Sequence, residues 1–291
     1  MDALAADTQL QPVARRRATR TPRTLVWGAV IVLAIIAIAA AGPYLAPYPY
    51  DEMAIMTRLK PPSLAHWFGT DDFGRDVLSR AMIGARPTLY MGFGATAFSL
   101  LIGVPLGLLA GYRRGRIDEI VMRLSDVLMS FPPILLGLLV LAVTTPALWK
   151  AILAVGIVYI PPIVRVTRSV TLELAQEEFI LAAQARGDGG WYILFSEILP
   201  NAWPPIAVEG SLRVTFAILL GAALSFLGMG AQPPTADWGL MISEARSFVE
   251  RAPWITLAPG LAMCITVIGI NLLGDGLREV LDPRMRTLRA Q

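Results

Sequence analysis

The sequence is short of almost every residue that does covalent or metal chemistry. It holds one cysteine, Cys264, and one histidine, His66. A single cysteine excludes an intramolecular disulfide, and the two together cannot build a Cys/His zinc site from this chain alone. Lysine is nearly absent too, with only Lys60 and Lys150. A phosphate-binding loop needs Gly-Lys followed by Ser or Thr. Lys60 follows Leu59 and Lys150 follows Trp149, so this route to ATP is closed. There is no His-Glu-x-x-His and no Gly-x-Ser-x-Gly, and Gly274-Asp275 follows Leu272-Leu273 rather than the Gly-x of an intramembrane aspartyl protease. No catalytic residue and no metal ligand set can be assigned, which points away from an enzyme.

Charge is scarce as well. Charged residues make up 16% of the 291 and hydrophobic residues 55%, against about 25% charged in a soluble domain. The mean hydropathy is +0.58. Too few charges remain to cover a water-facing surface, which excludes a soluble globular enzyme, a disordered chain and a collagen-like fibre. The net charge of +3 and the pI of 9.2 come from arginine. The arginines lie between apolar runs instead of on one basic face, so they speak for membrane topology and against nucleic-acid binding.

Six apolar stretches are long enough to cross a bilayer: 25–41, 88–110, 120–143, 148–164, 206–229 and 253–273. The first also resembles a signal peptide, with Arg15, Arg16, Arg17, Arg20 and Arg23 before it and small residues after it. Its length favours an uncleaved anchor. With the N-terminus in the cytoplasm, segments 1–24, 111–119, 165–205 and 276–291 hold fifteen Lys/Arg, and the external segments 43–87, 144–150 and 229–252 hold eight. The bias runs the expected way and places both termini in the cytoplasm. Gly103, Gly107, Gly137, Gly221 and Ser225 suit close helix packing. Pro105, Pro132, Pro133, Pro161 and Pro162 predict kinks or helix ends. The spans are otherwise poor in deep ionisable residues. Glu209 and Arg213, four apart on one helical face, are the exception. They read either as a local ion pair reaching the interface or as the lining of a pathway mouth.

Two loops are informative. The first external loop, 43–87, ends in His66-Trp67-Phe68-Gly69-Thr70-Asp71-Asp72-Phe73-Gly74-Arg75-Asp76. Its three carboxylates lack EF-hand spacing. Capping is the leading expectation, with Thr70, Asp71 or Asp72 starting a helix through Val77, Leu78 and Met82; a partner surface and a metal site are the alternatives. The second loop, 169–200, reads as a helix, a break at Gly187, Gly189 and Gly190, and a second helix over 191–199 ended by Pro200. Leu172, Ala175, Phe179, Ala182 and Ala183 recur at helical spacing. An interfacial helix on lipid is one reading. The small, alanine-rich apolar face and the few basic residues favour docking on protein instead.

At these loops the chain resembles a known family, the permease subunits of binding-protein-dependent ABC importers of the oligopeptide/dipeptide/nickel group, and within it the oligopeptide "C" type. The matching stretches are HWFGTDDFGRDVLSR (66–80), RIDEIVMRLSDVLMSFPPILL (116–136), ILPN (198–201), LSFLGMGAQPPTADWGLMI (224–242), APWITLAPGLA (252–262) and NLLGDGLREVLDPR (271–284). The resemblance covers nearly everything from Leu25 onward. It implies an all-α membrane protein with six transmembrane helices, both termini cytoplasmic, and a coupling-helix loop at 169–200. The organisation expected is a flexible cytoplasmic N-terminus at 1–24, a first transmembrane helix at 25–42, the external loop 43–87, a five-helix core at 88–275 and a cytoplasmic tail at 276–291. Ala182 and Ala183 match the two alanines of the family's ATPase-coupling loop and Gly187 its turn glycine, with Glu177 and Glu178 just upstream. Leu181 stands where the family usually has glutamate, and Glu197 replaces a commonly basic or His position.

The resemblance further implies a non-catalytic transport subunit in a bacterial inner membrane. It would carry no cofactor of its own, because ATP and Mg would bind to partner subunits. The implied partners are a second homologous permease, one or two ABC ATPase subunits, an extracytoplasmic substrate-binding protein and a peptide, with oligopeptide ahead of dipeptide, glutathione or nickel as cargo. The rival readings are a stand-alone secondary transporter, which the scarcity of deep ionisable residues disfavours, and a membrane scaffold that recruits partners through 169–200.

Overall fold

The computed structural model describes residues 22–281. The expected N-terminal arm before Pro22, with Arg15, Arg16, Arg17 and Arg20, and the tail after Leu281 lie outside them. The described residues are helical with no strand, apart from one antiparallel bridge between Thr70 and Asp76. The long elements are α1 (Arg23–Leu45), α2 (Val77–Arg113), α3 (Gly115–Met129), α4 (Pro133–Leu141) and α5 (Leu148–Leu174), then short α6 (Glu178–Ala185), α7 (Gly190–Phe226), short α8 (Trp238–Ala245) and α9 (Trp254–Leu281). Five of them are long and apolar enough to cross a membrane: α1, α2, α5, α7 and α9.

The third apolar stretch, 120–143, is not one straight helix. It is the pair α3 and α4, bent by 94°. The cause is local. Proline disfavours a helical residue before it, so Pro132, which precedes Pro133, is extended at φ −54°, ψ 133°, and Pro133 opens the next helix. α3 is also amphipathic, with Asp118 and Asp126 turned to α5, where Arg168 clamps Asp118 through both nitrogens of its fork and Arg165 reaches Asp126 at 2.6 Å. These pairs tie the polar half of the bent pair to its neighbour.

Helix register follows from small residues. Gly103, Gly107 and Gly111 repeat every four positions on α2. A Cβ added to them would sit 2.8 Å from Ile163 Cγ2, 2.6 Å from Thr167 Cβ and 2.7 Å from Thr171 Cβ of α5. Such contacts let two backbones approach as apolar surroundings require, because lipid gives no hydrophobic push between helices. The pairing runs 103 with 163, 107 with 167 and 111 with 171, so α2 and α5 are parallel. The α3–α4 pair must therefore carry the chain back to the end where α2 began. α1 and α9 run antiparallel, with Gly28 against Leu272–Leu273 and Gly276 against Leu25. The two described chain ends thus share one end of the bundle with α6. Segments 46–76 and 227–253 share the other.

Several helices outrun the apolar stretches. α2 starts at Val77, well before residue 88, and α5 runs past 164 to Leu174. The helix expected to stop at Pro200 does not stop. It continues into α7, because the turn just before it, Ile193–Ile198, widens to π geometry. A proline ring collides with the carbonyl four residues back, and a π turn makes room for it.

Candidate functional site

Three places hold the site residues that the sequence singles out among the described residues. At the α6 end, α5 stops at Leu174 and the backbone turns through Gln176 and Glu177 into α6. Glu177 is the N-cap residue but makes no side-chain cap bond. α6 ends in a Schellman turn: the Asp188 amide donates to Ala183 O at 3.1 Å and the Gly187 amide to Gln184 O at 3.0 Å. That geometry needs a left-handed residue, and Gly187 supplies it at φ 83°. The inner face of α6 is fixed. Ile180 and Ala183 are fully buried and pack with Ile193, Leu194, Ile198 and Leu108. The outer face is open: Glu177, Glu178, Phe179, Leu181 and Ala182 are exposed, Leu181 at 52%. So the two adjacent alanines divide, Ala183 as seat and Ala182 as surface. Beside them, Leu181, Gln184, Gln176, Tyr112, Arg113 and Arg114 line a cleft of about 590 Å³. Glu197 is paired within the chain: Arg186 lies 2.8 Å from Asp188 and 3.9 Å from Glu197. The spacing of Arg186 and Glu197 gave no sign of this, since the turn at Gly187 brings them together.

Midway along α7, Glu209 accepts from Arg213 Nε at 2.7 Å, as their spacing predicts. The Arg213 guanidinium also lies over the rings of Tyr159 and Phe216 at 5.6 and 5.2 Å. Both charges are mostly covered and satisfied by each other and by aromatic faces.

At the opposite end, the loop carboxylates have separate tasks. Asp71 accepts from the Phe73 and Arg75 amides at 2.9 Å each and from Arg75 Nε at 2.6 Å, closing a tight turn. The capping residue of α2 is Asp76, not Thr70, Asp71 or Asp72. Its Oδ2 accepts from the Ser79 amide at 2.8 Å, and its Oδ1 lies 2.9 Å from His66 Nδ1. The earlier residues are used up by the turn that precedes the helix: Thr70 Oγ1 donates to Thr57 O and accepts from the Lys60 amide. Burial, and then the neighbouring Asp71, push the Asp72 carboxyl above the usual range. Asp237 caps α8 through the Leu240 amide at 3.0 Å, and burial pushes its carboxyl up. Trp254 Nε1 donates to Thr70 O at 3.2 Å, fastening the loop to α9, and Trp238 Nε1 donates to Ala81 O at 2.8 Å, fastening α2 to α8. Among the described residues no group of three or more His, Cys, Asp or Glu side chains is placed to hold a metal.

Residues 103–287 match the family described as "Binding-protein-dependent transport system inner membrane component", and residues 16–62 match "N-terminal TM domain of oligopeptide transport permease C". Similar proteins include the dipeptide transport system permease protein of Alkalihalophilus pseudofirmus, 45% identical over 89% of this chain and 86% of its own length. The glutathione transport system permease protein of Pectobacterium atrosepticum is 42% identical over 95% and 96%, and the oligopeptide transport system permease protein of Bacillus subtilis 39% over 92% and 88%. In fold the chain resembles the inward-facing MetNI methionine ABC transporter, with a TM-score of 0.60 and 20% identity over 70% of this chain and 97% of that one. The chain belongs to the family of binding-protein-dependent ABC transporter permeases, multi-pass components of the inner membrane.

Proposed function

We propose that the chain is the transmembrane permease subunit of an ATP-driven importer of short peptides, forming half of a translocation pathway with a second, similar permease. Relatives whose names specify dipeptide, glutathione and oligopeptide transport support a peptide cargo, with oligopeptide as our choice among them. The observation that carries the reading is α6: a short helix seated by Ile180 and Ala183 and otherwise open, on a chain with no phosphate-binding loop. Energy then enters from ATPase subunits, which bind ATP and Mg, through Glu177, Glu178, Leu181 and Ala182. The chain performs no covalent chemistry. A switch between inward- and outward-open states requires differential interaction energy, and ATP-driven closure of the partners supplies it.

In this reading the α6 end is cytoplasmic, both termini are cytoplasmic, and α3–α4 is the sixth span. Glu209 and Arg213 line the pathway. Segments 46–76 and 227–253 face outward and receive a binding protein. The test is a gentle-detergent pull-down of the tagged chain from its native membrane, with partners identified by mass spectrometry. A second permease, ATPase subunits and a peptide-loaded binding protein are expected. A chain that came down alone and moved solute in liposomes without ATP would overturn the reading in favour of a secondary transporter.

A further inference from the structure

Charges from two stretches of chain, 71–80 and Glu244 of α8, converge at the loop end, with Asp72 at their edge 3.8 Å from Arg75. Arg75 Nη2 donates to Glu244 Oε2 at 3.0 Å, and Arg80 Nη2 donates to the same oxygen at 2.9 Å. Arg75 Nε also holds Asp71 at 2.6 Å, and Arg80 Nε lies 3.6 Å from Asp71. The side chains of Asp71, Arg75 and Arg80 are 4, 2 and 1% exposed. The cleft among them, walled by Val77, Met241 and Ile255, leaves no room for a water molecule. These charges therefore depend on one another. Glu244 is 19% exposed at the edge of the cluster, and a largely buried ion cluster is a poor way to gain stability, since apolar side chains of similar volume serve as well. What it provides is fixed geometry among the parts it joins. Those parts are the turn at 71–75, the first helical turn of α2, and α8. α8 in turn lies between α7 and α9 in the chain.

We propose that Asp71, Arg75, Arg80 and Glu244 form a rivet that makes the outer loop, α2 and α8 move as one body, so that a binding protein seated on the loop acts on α2 directly and, through α8, on α7 and α9 that flank it in the chain. These are positioning residues; none needs to touch cargo or nucleotide. Glu244 is the keystone because both arginines share its one oxygen, while Asp71 is held besides by two backbone amides of its own turn. The loop keeps the Trp254 indole and the Asp76 cap, and the Trp238 indole still ties α2 to α8, so loss of Glu244 loosens the joint without unfolding the chain. The proposal rests on the importer reading above.

The test uses the intact complex recovered by the pull-down, in proteoliposomes, with the binding protein recovered alongside it. ATP hydrolysis is measured with and without saturating binding protein for wild type, Glu244→Gln, Glu244→Asp and Arg75→Lys. The expected result is a loss of stimulation of about fivefold or more in Glu244→Gln, the lower bound of a typical coupling between sites. The rate without binding protein stays at the wild-type level, and Glu244→Asp recovers most of the stimulation. Arg75→Lys keeps its charge but lacks the fork that spans Asp71 and Glu244, so it falls with Glu244→Gln. That variant decides the matter if Glu244→Gln does not assemble. Full stimulation in both Glu244→Gln and Arg75→Lys overturns the rivet and leaves the importer intact. A wild-type complex that the binding protein does not stimulate overturns both.

Discussion

Single residues at the loop end do work that their neighbours in sequence seemed equally fit to do. Asp71, Asp72 and Asp76 are three carboxylates in six positions, yet only Asp76 caps α2. Capping was legible in the sequence; its owner was not, because Asp71 is claimed by amides two and four residues on. Asp76→Ala is expected to destabilise the chain by about 0.5–2 kcal/mol, the range for a lost N-cap, while Asp76→Asn retains most of it; thermal unfolding in detergent measures both. Asp237 makes a pH-dependent case. Its native carboxyl binds a proton more tightly than the usual value of 3.8 allows, because burial penalises the charge. The native state then holds more protons than the unfolded chain, so this group's contribution falls as pH climbs from about 3.8 through the raised native value. Asp237→Asn keeps an oxygen for the Leu240 amide and removes the charge. Its unfolding temperature, followed from pH 4 to 7, is expected to lack the decline that Asp237 adds to wild type.

Among elements, the glycine repeat of α2 decides the packing. Gly103, Gly107 and Gly111 are small residues of the kind that membrane bundles use, and this much is readable from spacing. Their partner is not, because a small-residue face fits any helix that comes close. Gly107→Leu would drive a side chain into Thr167 Cβ and Val164 O, at 2.6 and 2.8 Å from its first carbon. A loss of about 2 kcal/mol or more is expected from overpacking, read by denaturation in mixed micelles. Gly260→Leu on α9 is the matched control. No atom lies within 4 Å of its added carbon, so a change within about 0.5 kcal/mol is expected. The bent pair shows the same division. Pro132 and Pro133 announce the interruption and bend the chain locally, but the two ion pairs that tie α3 to α5 need Arg165 and Arg168, about forty to fifty residues away. In the sequence those arginines read as charges flanking a span.

At the scale of the molecule, α6 has one buried face and one open face. Ile180 is fully buried and Leu181 is half exposed, one position apart. Ile180→Ala is expected to cost about 2–4 kcal/mol in stability as a core truncation. Leu181→Lys is expected to leave the unfolding temperature unchanged and to abolish co-purification of ATPase subunits. Retained ATPase with Leu181→Lys would move the docking surface away from this face. The pair tests stability and the proposed ATPase docking separately, and neither outcome depends on the cargo.

The sequence by itself determined the solvent, the helical class and the family. Lipid demands long apolar helices that satisfy their own backbone, and composition records that demand directly. It also marked where the chain breaks, at Pro132–Pro133 and Gly187, since those residues limit the backbone wherever they occur. The tertiary structure decided what the breaks accomplish: that α2 and α5 run parallel, that Ala182 faces out and Ala183 in, that Arg186 meets Glu197, and that Glu244 gathers Arg75 and Arg80. Each of these is a distance between residues remote along the chain or across a turn. Periodicity reports which residues share a face, and only packing determines what that face meets.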